Sequence, residues 1–265
     1  MMLLLVAGVA EAAPRAELWP RWTEHDPRSM GRIDHGAFEK FLMRYVRLGA
    51  DGTHRVAYGE VAPADRAALD AYIGHLAGLP ISRYGRNQQM AYWINLHNAL
   101  QVRLVLDHYP IASVRDLGGR SGPWTGTPWT EPRVEIEGLP VSLNDIEHRI
   151  LRPIWRDPRV HYALSCAALG CPGLQPEPFQ ADRLERQLDQ AAMAYVNDPQ
   201  CIRIEDRTLE VSSLFRWYQE DFGGSERELI NHLMAYAEPQ LAMRLQEFDR
   251  ITGDAFDWRL NDTAP

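Results

Sequence analysis

Residues 88–108, QQMAYWINLHNALQVRLVLDH, form the longest candidate helix in this 265-residue chain. Pro110 follows and predicts the helix end, because proline cannot continue a helix. Apolar residues recur on nearly every side of the helix: Met90, Ala91, Trp93, Ile94, Leu96, Leu100, Val102, Leu104 and Val105. A helix that is apolar all round is buried, so this one is predicted to be the central helix.

Two amides interrupt the apolar surface of this helix. Asn95 and Asn98 are three residues apart and therefore lie on one face. A buried amide without partners is costly, so both side chains must hydrogen-bond something. They either tie down the backbone of an adjoining loop or orient a catalytic histidine. His97 points to the opposite side and is expected at the surface.

Helices and short hairpins alternate irregularly along the rest of the chain. Predicted helices span Ile33–Leu48, Ala64–Leu79, Ala181–Val196 and Glu226–Ala235, and others begin at Ser142 and after residues 212–213. Predicted hairpins lie at 133–142 and 202–211, and a turn lies at 51–52. This order is typical of α+β folds and not of doubly wound sheets. We predict a helix-rich single domain, residues 13–265, with a small antiparallel sheet.

Residues 157–172, DPRVHYALSCAALGCP, hold two of the three cysteines. Apolar and other residues alternate from Val160 to Ser165, which predicts a strand, and Gly170 and Pro172 then indicate a loop. A loop at the end of a buried strand often carries functional groups. The sequence therefore places any chemistry of this protein at Cys166 or Cys171.

An inward-facing carboxylate is predicted on the helix that begins at Ser142. Ser142 and Asp145 form a weak variant of a capping box. Glu147 falls in the middle of the apolar face of this helix. A buried carboxylate needs a partner, so Glu147 either forms an ion pair with an arginine or positions a histidine or ligand.

Two histidines are candidate partners for the cysteines. His148 projects from the side of the same helix, from which it could reach the cysteine loop. Residues five apart on a straight strand point to opposite faces, so His161 would reach Cys166 only if the chain bends. We therefore predict that His148 serves Cys166. His161 remains the candidate if Cys171 is the reactive thiol.

Several segments resemble a known family in order along the chain. The segments are 91–100 (AYWINLHNAL), 142–148 (SLNDIEH), 161–172 (HYALSCAALGCP), 214–218 (LFRWY) and 257–261 (DWRLN). Together they resemble domain of unknown function family 547 from about Arg32 to Asn261. The resemblance implies an architecture more than an activity. A papain-like or transglutaminase-like core is expected only by analogy of layout.

A loop rich in glycine, proline and tryptophan spans 117–132. Long aromatic loops often bind ligands or form lids. Trp124 and Trp129 are therefore candidate substrate-binding residues. Alternatively, these side chains fix the loop onto the core, as buried tryptophans commonly do.

Net charge, the N-terminal residues and the cysteine count limit the kind of protein and the compartment that are expected. A net charge of −8 argues against nucleic-acid binding, which requires clustered basic residues. Residues 1–12, MMLLLVAGVAEA, are typical of a truncated export signal, so a periplasmic or secreted protein is expected. Alternatively, this run is a frayed apolar terminus. No segment is long enough to span a bilayer. Three cysteines in an oxidising compartment leave one thiol over after one pairing.

Two functions remain open at this level. One is a cysteine-dependent hydrolase or acyl/amide transferase, with Cys166 as nucleophile, His148 as base and Glu147 or Asn95 as the group that orients the imidazole. The other is a non-catalytic binding or scaffold domain with a structural Cys166–Cys171 disulfide. A third alternative is a zinc site formed by Cys166, Cys171 and His148 or His161, although the spacing of the two cysteines is looser than is usual for zinc. No cofactor is predicted, and the partner would be an unknown small molecule or peptide.

Overall fold

The long apolar segment is the last of three helices that pack one against the next in the first half of the protein. The computed structural model describes residues 13–117 and 129–263. Helix α1 spans Gly36–Tyr45, α2 Pro63–Ala77 and α3 Arg86–His108. Helix α3 packs against α2, and α2 packs against α1. Every residue from Gln89 to Val102 is buried, so the prediction of a buried central helix is confirmed.

Shorter helices form the second half. A π-helix, Asp145–Leu151, continues directly into α4, Arg152–Trp155. The later helices are α5 (Val160–Ala163), α6 (Leu184–Val196), α7 (Ser213–Trp217), α8 (Glu226–Tyr236) and α9 (Pro239–Leu245). Short 3₁₀ turns occur at Pro20–Thr23, Tyr58–Glu60, Ile81–Arg83 and Val114–Leu117.

Seven short strands form three small sheets in the described part of the chain. The strands are β1 (Val46–Leu48), β2 (His54–Val56), β3 (Val134–Ile136), β4 (Leu139–Val141), β5 (Ile202–Glu205), β6 (Thr208–Ser212) and β7 (Gly253–Ala255). Strands β1 and β2 form an antiparallel pair, as do β3 and β4. The third sheet has the order β5-β6-β7, and β7 runs parallel to β6.

The helix-rich α+β class is confirmed, and the strands differ from the prediction in their grouping. They form three separate sheets, one of them mixed, where a single antiparallel sheet was expected. The first predicted helix also ends early, at Tyr45, because Val46–Leu48 pairs with His54–Val56. The predicted hairpin at 133–142 is present, with positive φ at Glu137 and Gly138 in its turn.

The predicted cap at Ser142 is also present. The Asp145 backbone N–H donates to Ser142 Oγ at 3.0 Å, and the Ser142 N–H donates to the Asp145 carboxylate at 3.0 Å. These reciprocal bonds satisfy donors that the helix itself leaves unpaired. They fix the start of the π-helix that carries Glu147 and His148.

The C-terminal segment, residues 257–263, crosses three other parts of the molecule, and we call it the strap. Its backbone bonds join it to β2, to the start of the 3₁₀ turn at 114 and to the cysteine loop: Val56 N to Asn261 O (2.9 Å), Leu260 N to Ala112 O (3.0 Å), Leu169 N to Arg259 O (2.8 Å) and Gly170 N to Asp257 O (2.9 Å). The strap therefore couples the cysteine loop to β2 and to the segment that follows α3.

Candidate functional site

The cysteine loop contains a disulfide between Cys166 and Cys171. Their Cα atoms are 5.9 Å apart, within the usual range for a bridge. A bridged sulfur carries no thiolate, and the thiolate is the nucleophile that cysteine chemistry requires. In this state neither residue has the form that the predicted hydrolase needs. Cys201 is free and buried, and burial raises the pKa of its thiol.

The segment before the disulfide is a helical turn, so the predicted strand at 160–165 is wrong. Helix α5 covers only Val160–Ala163. The Asp157 carboxylate accepts a hydrogen bond from the Arg159 N–H at 2.9 Å, a local turn that starts the helix instead of a strand. As a result His161 points toward the π-helix, and the hydroxyl of Tyr162 hydrogen-bonds His232 at 2.8 Å.

Asn98 holds the beginning of the cysteine loop. Its Nδ2 donates to Ala163 O at 2.9 Å, and its Oδ1 accepts from the Ser165 N–H at 3.0 Å. Asn95 makes the same two bonds to the backbone of Phe179, at 2.8 and 2.9 Å. Both side chains are buried and satisfied, as predicted. The interpretation that they tie down loop backbone therefore fits, and Asn95 does not orient an imidazole through these bonds.

The loop is fixed beyond Asn98 as well. Gln101 Nε2, one turn further along α3, donates to Cys166 O at 3.4 Å, and Ala167 O accepts from the Asn261 N–H of the strap at 2.9 Å. Ala167 is buried with φ of 64°, a left-handed conformation that is unfavourable for a residue with a Cβ atom. The surrounding bonds hold the loop in this conformation.

A largely buried set of charged and polar side chains lies around α5, and we call it the polar cluster. It consists of Glu147, His148, Arg152, His161 and Asp221. His161 Nε2 lies 2.7 Å from the Asp221 carboxylate, and its Nδ1 lies 3.8 Å from Glu147. His148 Nε2 lies 3.9 Å from Glu147. Arg152 Nε donates to Asp221 at 2.6 Å, and its Nη1 donates to His148 Nδ1 at 3.1 Å.

The environment of the cluster shifts its pKa values. Burial lowers the pKa of His148 to about 4, against the opposing effect of Glu147. Burial alone would raise the pKa of Glu147, but the nearby histidines and a hydrogen bond with Tyr218 outweigh it, and that pKa is lowered. The Asp221 carboxyl is also partly desolvated, but its bonds to His161 and Arg152 hold its pKa well below the usual range. At neutral pH the cluster therefore contains a neutral His148 and an ionised Asp221.

The polar cluster unites three of the residues predicted from the sequence. Glu147 faces inward, as expected, and lies between His148 and His161. Cys166 and Cys171 are instead bonded to each other. Both ring nitrogens of His161 face carboxylates, so neither is directed at Cys171 as a base. The polar cluster therefore groups Glu147 with His148 and His161 and contains no cysteine, whereas the sequence predicted Cys166 beside His148.

Other members of this region were not predicted. Arg152 lies one turn after His148, and that spacing was the one available signal. Asp221 is 69 residues from Arg152 in sequence, and no sequence pattern indicated that the two side chains meet. His97 was expected at the surface but is 4% exposed, and that expectation is wrong. Helix α3 packs against the π-helix, so Glu147 acts electrostatically on His97.

Of the two tryptophans predicted to bind substrate, only Trp129 lies within the described residues. Trp124 lies outside the described residues. Trp129 is buried, and its indole Nε1 donates to Gln101 Oε1 at 3.2 Å. Its backbone O also accepts from the Asn144 N–H at 3.1 Å. Trp129 therefore fixes the end of the loop to the core and does not present its ring as the wall of an open cleft.

A cleft of about 450 Å³ lies beside the strap, and we call it the strap cleft. Its walls come from five places: the cysteine loop (Leu169, Gly170), the turn at Ser113 and Arg115, the end of α6 with the loop after it (Tyr195, Asp198, Gln200, Cys201), the three-stranded sheet and residues 256–259. Tyr195 also lines it, and the hydroxyl of Tyr195 donates to Gly170 O at 2.7 Å. The disulfide loop therefore forms part of a cleft wall.

Residues 13–117 and 129–263 contain neither a candidate metal site nor a candidate membrane span. In these residues no set of three histidine, cysteine or acidic side chains is arranged to hold a metal ion. The zinc alternative also loses two of its ligands to the disulfide. None of the helices in these ranges is both long and apolar enough to cross a bilayer.

Comparison with known proteins identifies one family over part of the chain. Residues 81–196 match the model of a family described as protein of unknown function, DUF547. This segment runs from the turn before α3 to the end of α6 and confirms the resemblance there. It includes the cysteine loop, Asn95, Asn98 and four of the five cluster residues. No curated protein and no solved structure gave a match.

Proposed function

We propose that this protein is a non-catalytic binding domain in which the Cys166–Cys171 disulfide is structural and shapes a wall of the strap cleft. The bond between the two sulfurs carries this proposal. Asn98 and the strap already fix the cysteine loop, so the added disulfide maintains the shape of the cleft wall that this loop forms. A volume of about 450 Å³ is within the range typical of small-molecule sites.

The polar cluster supports the same function. A general base needs a ring nitrogen directed at the group that it deprotonates. In the cluster, His148 Nδ1 accepts from Arg152, and both nitrogens of His161 face carboxylates. These contacts suit a buried network that fixes α4, α5 and the segment around Asp221. The alternative, a cysteine-dependent hydrolase or acyl/amide transferase, requires reduced Cys166 and a base directed at it.

Thiol reactivity after mild reduction tests the proposal. Iodoacetamide labelling of Cys166 is followed against pH in the reduced full chain and in the His148→Gln variant. We expect a labelling midpoint at or above the ordinary thiol pKa of about 8.5 and no effect of His148→Gln. A midpoint well below 8.5 that rises in His148→Gln would overturn the proposal and favour the hydrolase. Labelling of Cys166 in a Cys201→Ser background removes any contribution of the third cysteine.

A further inference from the structure

Arg115 at the strap cleft has a side chain that is held in place, but it has no acidic partner among the described residues. Its guanidinium lies 4.5 Å from the centre of the Trp258 ring, and the residue is exposed. Two other arginines line the same cleft, and each has a carboxylate: Arg203 with Glu210 at 3.2 Å and Arg259 with Asp257 at 2.5 Å. Among the described residues, Arg115 alone of these three forms no ion pair.

The position of Arg115 relative to Trp258 is fixed by the backbone. Ser113 Oγ donates to Trp258 O at 2.8 Å, and the Arg115 N–H donates to the same hydroxyl oxygen at 3.2 Å. The Val114 N–H also donates to Trp258 O at 3.3 Å. A guanidinium stacked on an aromatic ring keeps its N–H donors free at its edge. Because the side chain is already ordered, binding through these donors loses less conformational entropy.

Aromatic rings stand next to this guanidinium. The ring centres of Phe256 and Trp258 are 4.5 Å apart, and Trp217 lies 4.8 Å from Phe256. Phe256 and Trp258 are half-buried and line the strap cleft. Half-exposed rings offer apolar area to a planar group of a ligand.

The acidic groups of the cleft already have partners. Asp257 is bonded to Arg259, which lowers its pKa. Asp198 accepts from Thr53 Oγ1 at 3.0 Å and from the Gln200 N–H at 2.8 Å. A cationic ligand would have to compete for these carboxylates. An anionic ligand finds donors at Arg115 that no acidic side chain in the described part of the chain occupies.

We infer that the strap cleft binds a ligand with a carboxylate on a planar ring, with the carboxylate at Arg115 and the ring against Phe256 and Trp258. This inference rests on the proposed binding function and adds the chemical class of the ligand. Arginine suits this class because its planar N–H fork matches a carboxylate with two parallel hydrogen bonds.

Two matched probes, 2-naphthoate and 2-naphthamide, test the inference on the full chain by NMR titration. They share a ring and differ in charge. We expect saturable shifts of the Trp258 indole and the Gly170 amide with 2-naphthoate and affinity about tenfold lower with 2-naphthamide, the effect typical of one charge-assisted contact. Arg115→Gln should lower the affinity for 2-naphthoate by about tenfold as well.

Arg207→Gln is the matched control, because Arg207 is exposed and lies outside the cleft lining. It changes net charge equally and should leave affinity unchanged. Equal affinity for both probes at the cleft, or unchanged binding in Arg115→Gln, would overturn the carboxylate assignment and leave the binding function in place. Absence of any cleft shift with either probe also overturns the inference, and only thiol reactivity decides the proposed function.

Discussion

Replacement of Asn98 by leucine should loosen the cysteine loop specifically. Asn98 is 3% exposed and satisfies two buried backbone groups, Ala163 C=O and Ser165 N–H. Leucine has a similar size but no hydrogen-bonding group. Each buried group left without a partner costs about 1 to 3 kcal/mol, and burial of the leucine side chain offsets part of the sum. We expect a net loss of about 2 kcal/mol in the free energy of unfolding.

Urea denaturation measures the net loss, and amide exchange shows where it acts. Asn95→Leu is the matched control, because Asn95 makes the same pair of bonds to Phe179. Asn98→Leu should accelerate exchange of the Ser165 amide, and Asn95→Leu that of the Phe179 amide. A stability change below about 0.5 kcal/mol, the range of surface substitutions, would refute the reasoning. Equal acceleration of both amides in both variants would refute the local assignment.

The remaining predictions concern strain and pH. Ala167→Gly should reduce the free energy of unfolding by less than Ala168→Gly does, or not at all. Both alanines are buried, but of the two only Ala167 has positive φ, which glycine adopts without strain. An equal loss of about 1 kcal/mol for both variants in urea denaturation contradicts this. Burial lowers the pKa of His148 to about 4, so as the pH falls the imidazole of His148 is protonated in the unfolded chain before it is protonated in the folded one. The stability that neutral His148 contributes above about pH 6.5 is therefore lost as pH falls toward 4. His148→Gln should reduce the stability lost between pH 7 and pH 5 by on the order of 1 kcal/mol, and an unchanged pH dependence would count against it.

Hydrophobic periodicity predicted the central helix because α3 is long enough for its pattern to be distinct. The same helix shows why its two amides were predictable in kind but not in partner. Burial requires that Asn95 and Asn98 be satisfied. Their partners lie 84 and 65 residues away, and no local pattern encodes such contacts.

Short elements were the main source of error. Residues 160–163 form a single helical turn, and four residues cannot separate a period of 2 from one of 3.6. The sequence also allowed Cys166 either a thiol or a disulfide. The error about the strand affected the site, since it misplaced His161, which lies between Glu147 and Asp221.

The polar cluster was half predictable. The inward position of Glu147 followed from the apolar residues around it. Asp221 lies on a different segment, after α7, and reaches Arg152 and His161 only through the tertiary fold. The strap cleft was not predicted, because it forms where five segments distant in sequence meet.

The number of free thiols in protein purified without reductant tests the central claim most directly. The chain is unfolded, alkylated with N-ethylmaleimide and digested with trypsin. Mass spectrometry then measures the mass of peptide 160–183, which contains both Cys166 and Cys171. The account predicts one adduct, at Cys201, and a peptide 160–183 that is lighter by two hydrogens than its reduced form. Three adducts, with Cys166 and Cys171 both alkylated, would contradict the structural disulfide and the binding function built on it.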